Sequence, residues 1–245
     1  MKEIFREILG VLFPKRCPGC DGILRVDELS QGFCIECMEE LERIEGALCM
    51  KCGKKLYDNS KEYCRDCAKM NHSFDMNRAL YLYKGPIVEG MYRFKYSNRR
   101  QYADVFVKDV ERFLMDFLNN IQKDGAIDGI VPIPMNQSSV RKRGYNQAEA
   151  IAERVSELID VPVYKNLVLR NKSTKKMKTL DPVERRLNLI NAFKYHETGV
   201  KLKKILLVDD IYTTGATMDS VSTVLKDHGV KEIYSICVCI GSDQE

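Results

Sequence analysis

From about Ser73 onward, short apolar runs bounded by turn residues alternate with stretches whose apolar positions recur every three or four residues. That is the pattern of a parallel sheet flanked by helices. AIDGIVPIP predicts a strand, and NQAEAIAERVSELI a helix. In the helix Asn146 is placed to cap the first turn, Glu149 follows three residues on, and Ile151, Ala152, Val155, Leu158 and Ile159 share one face. VPVYKNLVL, LINAFKY, KKILLVDD and EIYSICVCI supply four further strands, so that five mostly parallel strands are expected. ALYLY (Ala79 to Tyr83) reads as an earlier strand ending at Gly85 and Pro86, before the main sheet, with helical spacing resuming in IVEGMYRFKY.

Before residue 73 this patterning is weak. Once its cysteines are set aside, the segment has few aliphatic residues. Eight of the ten cysteines fall there as four C-x-x-C pairs: Cys17 and Cys20, Cys34 and Cys37, Cys49 and Cys52, Cys64 and Cys67. The gaps between pairs hold 13, 11 and 11 residues. Two residues between thiolates make a knuckle that turns both sulfurs toward one ion, and two knuckles complete a Cys₄ zinc site. Two closed structural sites are expected, with no coordination position left for substrate. The competing arrangement, four disulfides, suits a secreted mini-domain. Spacing leaves the pairing open between sequential ribbons and a cross-brace. His72 is close enough in sequence to replace a thiolate, although a lone histidine there is more often solvated. Zinc is expected to supply much of the folding free energy of this segment. Cys237 and Cys239 lie in a strand pattern and read as small apolar core residues. The expected division is a zinc module over 1–72 and an α/β domain over 73–245.

In parallel sheets, ligands bind where strands run out at their carboxyl ends. ILLVDDIYTTGATMD makes a buried strand of Ile205 to Val208 and leaves Asp209 and Asp210 at its end, as acids for hydroxyls or a divalent cation. Thr213, Thr214, Gly215, Ala216 and Thr217 then precede a helix. Amides at a helix N-terminus favour a phosphate, and glycine permits close approach. Acids for a polyol beside amides for a phosphate describe a sugar phosphate. A second loop, VPIPMNQSSVRKRGYNQ, brings Arg141, Lys142 and Arg143 ahead of a helix; arginine forks match pyrophosphate oxygens. A third stretch carries Arg170, Lys172, Lys175, Lys176 and Lys178 and is too long for a tight turn, as in loops that close over ligands.

The chain has 245 residues and a formal charge of +4, too small to establish a nucleic-acid partner. Its first residues present Ile4, Phe5, Ile8, Leu9 and Leu12 on one face, but Arg6 and Glu7 interrupt any signal-peptide core, and no run is long enough to span a membrane. The expectation is a cytoplasmic, non-secreted protein whose amphipathic start packs on its own domain. Peripheral association with the inner membrane face is the alternative.

VDDIYTTGAT resembles the 5-phosphoribosyl-1-diphosphate (PRPP) signature of type I phosphoribosyltransferases. The resemblance implies that Asp209 and Asp210 hold the ribose 2- and 3-hydroxyls with magnesium nearby, that Thr213 to Thr217 cradle the 5-phosphate, and that Arg141 to Arg143 lie in the pyrophosphate loop. With the four cysteine pairs, RKRGYNQ and ERRLNLINAF, nearly the whole chain resembles the ComF family of competence proteins, ComFC type. One departure is Met177, where that family commonly has glutamine.

That resemblance implies a role in natural transformation: handling incoming single-stranded DNA at the cytoplasmic face alongside a competence helicase and other uptake proteins. Arg99, Arg100, Arg141 to Arg143 and Lys172 to Lys178 are interleaved with Tyr96, Tyr102 and Tyr145, a mixture suited to phosphate pairing and base stacking. Three functions follow: a binding module for PRPP and DNA; a transferase in which Asp209 and Asp210 form the catalytic pair by positioning ribose; or an adaptor acting through its zinc module.

Overall fold

The computed structural model describes residues 14–109, 111–123, 125–171 and 192–241. A short helix α1 (Ile35–Glu39) lies in the cysteine-rich segment. It is followed by β1 (Met76–Leu82), α2 (Pro86–Tyr96), α3 (Tyr102–Asp109), α4 (Glu111–Ile121), β2 (Gly129–Pro132), α5 (Gln137–Arg143) and α6 (Gln147–Ile159). The chain then forms β3 (Val168–Arg170), β4 (Phe193–Tyr195), β5 (Lys204–Tyr212), α7 (Ala216–Asp227) and β6 (Glu232–Ile240). The main sheet has four parallel strands in the order β1-β6-β5-β2. It is the parallel, helix-flanked sheet that the sequence pattern predicts.

Two strand expectations need correction. ALYLY is no prelude: β1 pairs with β6 along its length, from Met76 opposite Tyr234 to Leu82 opposite Ile240. Conversely, VPVYKNLVL and LINAFKY do not extend the main sheet as full strands. Their ends, β3 and β4, pair with each other as an antiparallel hairpin. Among the described residues, the first of these runs meets the sheet at Ile130, through a parallel bridge with Val163 flanked by hydrogen bonds from Ile130 N to Pro162 O (2.9 Å) and from Tyr164 N to Ile130 O (2.8 Å). Apolar runs identify strands without naming their partners.

β5 is buried on both sides, and its side chains alternate between two cores. Leu206 and Val208 join a core with α2, α3, α4 and α6. Ile205 and Leu207 join a second core with α7 and the β3–β4 hairpin. The cysteine-rich segment contributes to both. Cys17, Leu24, Phe33, Cys37 and Leu41 belong to the first core, and Ile44, Cys49, Cys52, Leu56 and Cys64 to the second. Between the two halves the chain crosses the β1 edge: the Ile44 amide donates to Leu80 O (3.2 Å) and the Leu82 amide to Glu42 O (2.8 Å). An otherwise exposed row of strand groups is thereby paired.

A polar clamp fixes that crossing. Arg43 makes a forked contact with Asp109 (Nη2 to Oδ1 2.6 Å, Nε to Oδ2 3.1 Å), and the fully buried Tyr81 hydroxyl donates to the same carboxylate at 2.6 Å. Asp109→Ala leaves a buried hydroxyl and a half-buried guanidinium without their acceptor. The expected loss is about 3 kcal/mol, read from urea unfolding.

Candidate functional site

The four sulfurs of Cys17, Cys20, Cys34 and Cys37 lie within 4.8 Å of one another, as do those of Cys49, Cys52, Cys64 and Cys67. Pairing is therefore sequential. Sulfur separations of 3.7 Å, between Cys20 and Cys34 and between Cys52 and Cys64, match the edge of about 3.8 Å that a tetrahedron with 2.3 Å zinc–sulfur bonds requires. The two leading knuckles repeat one hydrogen-bond scheme. Cys17 N donates to Gly22 O and Asp21 N to Cys17 O; Cys49 N donates to Lys54 O and Gly53 N to Cys49 O. Asp21 and Gly53 occupy equivalent left-handed positions, φ 62 and 78. The residues present fit zinc at both centres.

His72 joins neither centre, nor is it solvated. Its side chain is buried, with Nδ1 2.6 Å from Asp219 Oδ2.

The second site forms where β2 leaves the sheet. β2 pairs with β5 only as far as Pro132 opposite Val208, while β5 continues to Tyr212. Beyond Val208, one side of β5 therefore opens into a cleft of about 460 Å³, within the range of small-molecule sites. Asp209 and Asp210 line it. The Asp210 amide donates to Asp209 Oδ1 (2.8 Å), and Lys95 Nζ meets Asp210 Oδ2 at 2.9 Å. Burial, reinforced by the adjacent Asp210, pushes the Asp209 carboxyl up to about 8, with Lys95 and Arg170 opposing.

On the phosphate side, Gly215 takes φ 78 as N-cap of α7, with no side chain capping the helix. A Cβ there would lie 2.9 Å from Tyr212 Cζ, so the loop closes directly over that ring. Thr217 lines the cleft, while Thr213 and Thr214 are exposed and Thr214 Oγ1 accepts from Ala216 N at 3.5 Å.

The basic triplet lies ahead of α6 as expected, but not in an open loop. It is the last turn of α5, a short helix capped by Asn136 and ended by Gly144 at φ 85. Arg143 turns into the cleft, donating to Gln147 Oε1 (3.1 Å) and lying 5.0 Å over the Tyr96 ring. Arg141 and Lys142 are exposed and do not line it. Asn146 caps α6 as expected. Arg170 also lines the cleft, its guanidinium over Phe193. Lys172, Lys175, Lys176, Met177 and Lys178 lie outside the described residues.

The expected stacking aromatics need revision. Tyr102 and Tyr145 are buried, the latter donating to Phe94 O, and Arg99 and Arg100 are engaged by Asp21 and Glu153. Tyr96 is exposed (50%), and beside it on α2 stands Tyr92 (58%), their rings 5.1 Å apart. Sequence reasoning missed Lys95 and Tyr92. The available signal was the helical period of α2: with Ile87, Met91 and Phe94 buried, positions 92 and 96 must turn outward, and position 95 falls at the margin of the buried face.

A family model described as Double zinc ribbon domain matches residues 8–68, and one described as Phosphoribosyl transferase domain matches residues 106–245. Competence protein F of Haemophilus influenzae is 29% identical over 90% of this chain and 95% of its own length. Competence protein ComFC of Bacillus subtilis is 30% identical over 84% of this chain and 82% of its own. DNA utilization protein YhgH of Escherichia coli is 25% identical over 85% and 90%.

Two outcomes are expected. Because Asp209 holds its proton more tightly when folded, the stability it lends is complete below about pH 4 and is lost as pH rises toward about 8. Asp209→Asn should therefore melt higher than the unsubstituted protein at pH 8 and nearly level with it at pH 4. Equal melting at pH 8 would mean that water reaches this carboxylate freely. Metal analysis should find two zinc ions per chain, matching the two tetra-cysteine groups, and a strong chelator should remove both while destabilising the sheet domain, read by near-ultraviolet circular dichroism.

Proposed function

Since the chain belongs to the ComF family of competence proteins and carries both a double zinc ribbon and a phosphoribosyl transferase domain, we propose that it handles incoming single-stranded DNA during natural transformation and binds PRPP, or another phosphoribose ligand, in the cleft at Asp209 and Asp210. The observation that bears most weight is the charge arrangement there: two adjacent acids at the end of β5, with Lys95, Arg143 and Arg170 around them and the uncapped start of α7 beside them. A polyol is held by the acids, a 5-phosphate by the first amides of α7 and Thr217, and a pyrophosphate by the three cations. The paired carboxylates and the threonine hydroxyl suit a hard cation; magnesium, entering with PRPP, supplies charge neutralisation on the pyrophosphate.

The DNA surface in this reading is the outer face of α2 with the end of α5. Tyr92 and Tyr96 offer ring faces to bases, while the exposed Arg141 and Lys142 take phosphates. An open face with two rings in series suits a strand, which sums several weak contacts, better than a single free base. The place of action is the cytoplasmic side of the membrane, with a competence helicase and other uptake proteins as partners. Among the described residues no helix is long and apolar enough to cross a membrane, so a peripheral position fits that role.

A second reading, phosphoribosyl transfer, is favoured by the same three cations. The C1–oxygen bond of PRPP breaks, an acceptor atom bonds to C1, and pyrophosphate leaves toward Lys95, Arg143 and Arg170. Asp209 and Asp210 orient the ribose throughout.

Titration of a fluorescent single strand into zinc-loaded protein, with and without magnesium and PRPP, tests the proposal. Binding should weaken steeply with salt. Tyr92→Ala, which spares the Tyr96 ring that supports Arg143, should lower DNA affinity about fivefold or more while leaving PRPP affinity unchanged. Asp209→Asn with Asp210→Asn should abolish PRPP binding. No DNA binding at any salt sinks the DNA-handling claim, indifference to the aspartate pair favours an adaptor, and pyrophosphate release on adding candidate acceptors selects the transferase.

A further inference from the structure

The two zinc centres are seated differently relative to the cleft. The first is tied to the body of α2: Arg93 Nη1 donates to Pro18 O (2.9 Å) and Gly19 O (2.7 Å), and Lys95 follows two residues later on that helix. The second packs against the phosphate loop itself. Cys49, Cys52 and Cys64 share one buried core with Phe74, Tyr212 and Met218. Tyr212 is the ring that closes under Gly215, and Phe74 meets it edge-on with centroids 6.2 Å apart.

Polar contacts hold the same parts together. The fully buried Asn77 side chain donates to Cys52 O (2.8 Å) and accepts from Ser235 Oγ (2.9 Å), while the Asn77 amide donates to Lys51 O (2.7 Å). A second attachment leads to α7. His72, stacked on Phe74 with centroids 4.8 Å apart, meets Asp219 in the first turn of that helix. Asp219 also accepts from Ser73 N at 2.8 Å, and Ser73 Oγ lies 2.9 Å from Thr223 Oγ1 one turn further along. The His72 side chain is buried, and among the described residues Nε2 has no hydrogen-bond partner. It is held for its place between two elements rather than for solvent exchange.

We propose that the second zinc centre is a working part of the phosphoribose site, with His72 and Tyr212 as positioning residues that pass the seating of Cys49, Cys52, Cys64 and Cys67 to the Gly215 loop and the first turn of α7. This rests on the phosphoribose reading of the cleft. Metal in the second centre and phosphate in the loop favour the same arrangement of these side chains. Coupling between two binding events is reciprocal. A ligand that orders the loop must therefore slow metal loss from the second centre, and metal loss must weaken the ligand. The first centre lacks this contact with the loop and is indifferent to it.

The test uses zinc-loaded full-length protein. Zinc is withdrawn by a chromogenic chelator in the presence of a thiol-alkylating reagent, and the alkylated cysteines are mapped by mass spectrometry at intervals, with and without saturating PRPP and magnesium. PRPP binding is measured separately by calorimetry. The expected result is alkylation of Cys49, Cys52, Cys64 and Cys67 slowed about fivefold or more by PRPP, the lower edge of ordinary site-to-site coupling, with Cys17, Cys20, Cys34 and Cys37 unaffected. His72→Gln should retain both metals yet lose most of that protection. If that variant fails to hold zinc, the comparison of the two centres in the unsubstituted protein decides alone. Bound PRPP that protects neither centre, or protects the first as much as the second, overturns the coupling and leaves the phosphoribose reading standing. Absence of PRPP binding overturns both.

Discussion

A four-stranded parallel sheet needs both faces covered and both edges closed, because its strands are apolar on each side. The remaining architecture follows from that demand. Helices alone do not meet it. α2, α3, α4 and α6 cover most of one face, and α7 with the β3–β4 hairpin covers most of the other. The zinc ribbons complete the two cores at the β1 side, one on each face, and the short stretch between them closes the β1 edge. At the opposite margin, Pro162 and Val163 pair briefly with Ile130.

Seen this way, the cleft is the place where coverage is withheld. β2 ends and β5 does not, so Asp209 keeps its ladder partner Cys237 on the β6 side where the β2 ladder has already stopped at Val208. The cost is visible in Asp209, whose carboxyl is poorly solvated and sits beside a second acid. Lys95 offsets part of this through Asp210. Strain of this kind, concentrated on two residues in a sheet otherwise filled with Ile, Leu and Val, is characteristic of a site kept for binding rather than for stability.

Much of this was legible in the sequence, for identifiable reasons. Zinc spacing is short-range geometry, so the eight ligands could be named from C-x-x-C alone. The strand-end acids and the threonine loop are contiguous, and the α6 cap is a local hydrogen bond at Asn146. What escaped was assembled from distant parts of the chain. Lys95 reaches Asp210 across more than a hundred residues of sequence, and no motif marks it. Tyr102 and Tyr145 look like surface aromatics beside arginines, yet burial is decided by the helices packed over them. His72, unremarkable behind Cys67, finds its acid on α7. The membership of β1 in the main sheet depended on β6, the final strand.

That last pairing bears on the order in which the molecule can assemble. The cysteine-rich segment is synthesised ahead of the sheet strands and can gather its metals early, but the platform on which its halves rest includes β1, and β1 is hydrogen-bonded only to β6 within the sheet. β6, over Glu232–Ile240, is synthesised long after β1. The ribbons therefore wait, metal-bound but without a full seat, until β6 has emerged. Folding is completed by a contact between strands far apart in sequence, Met76 opposite Tyr234, the costly kind of closure that makes a chain slow to finish and leaves its apolar ribbon faces open in the meantime.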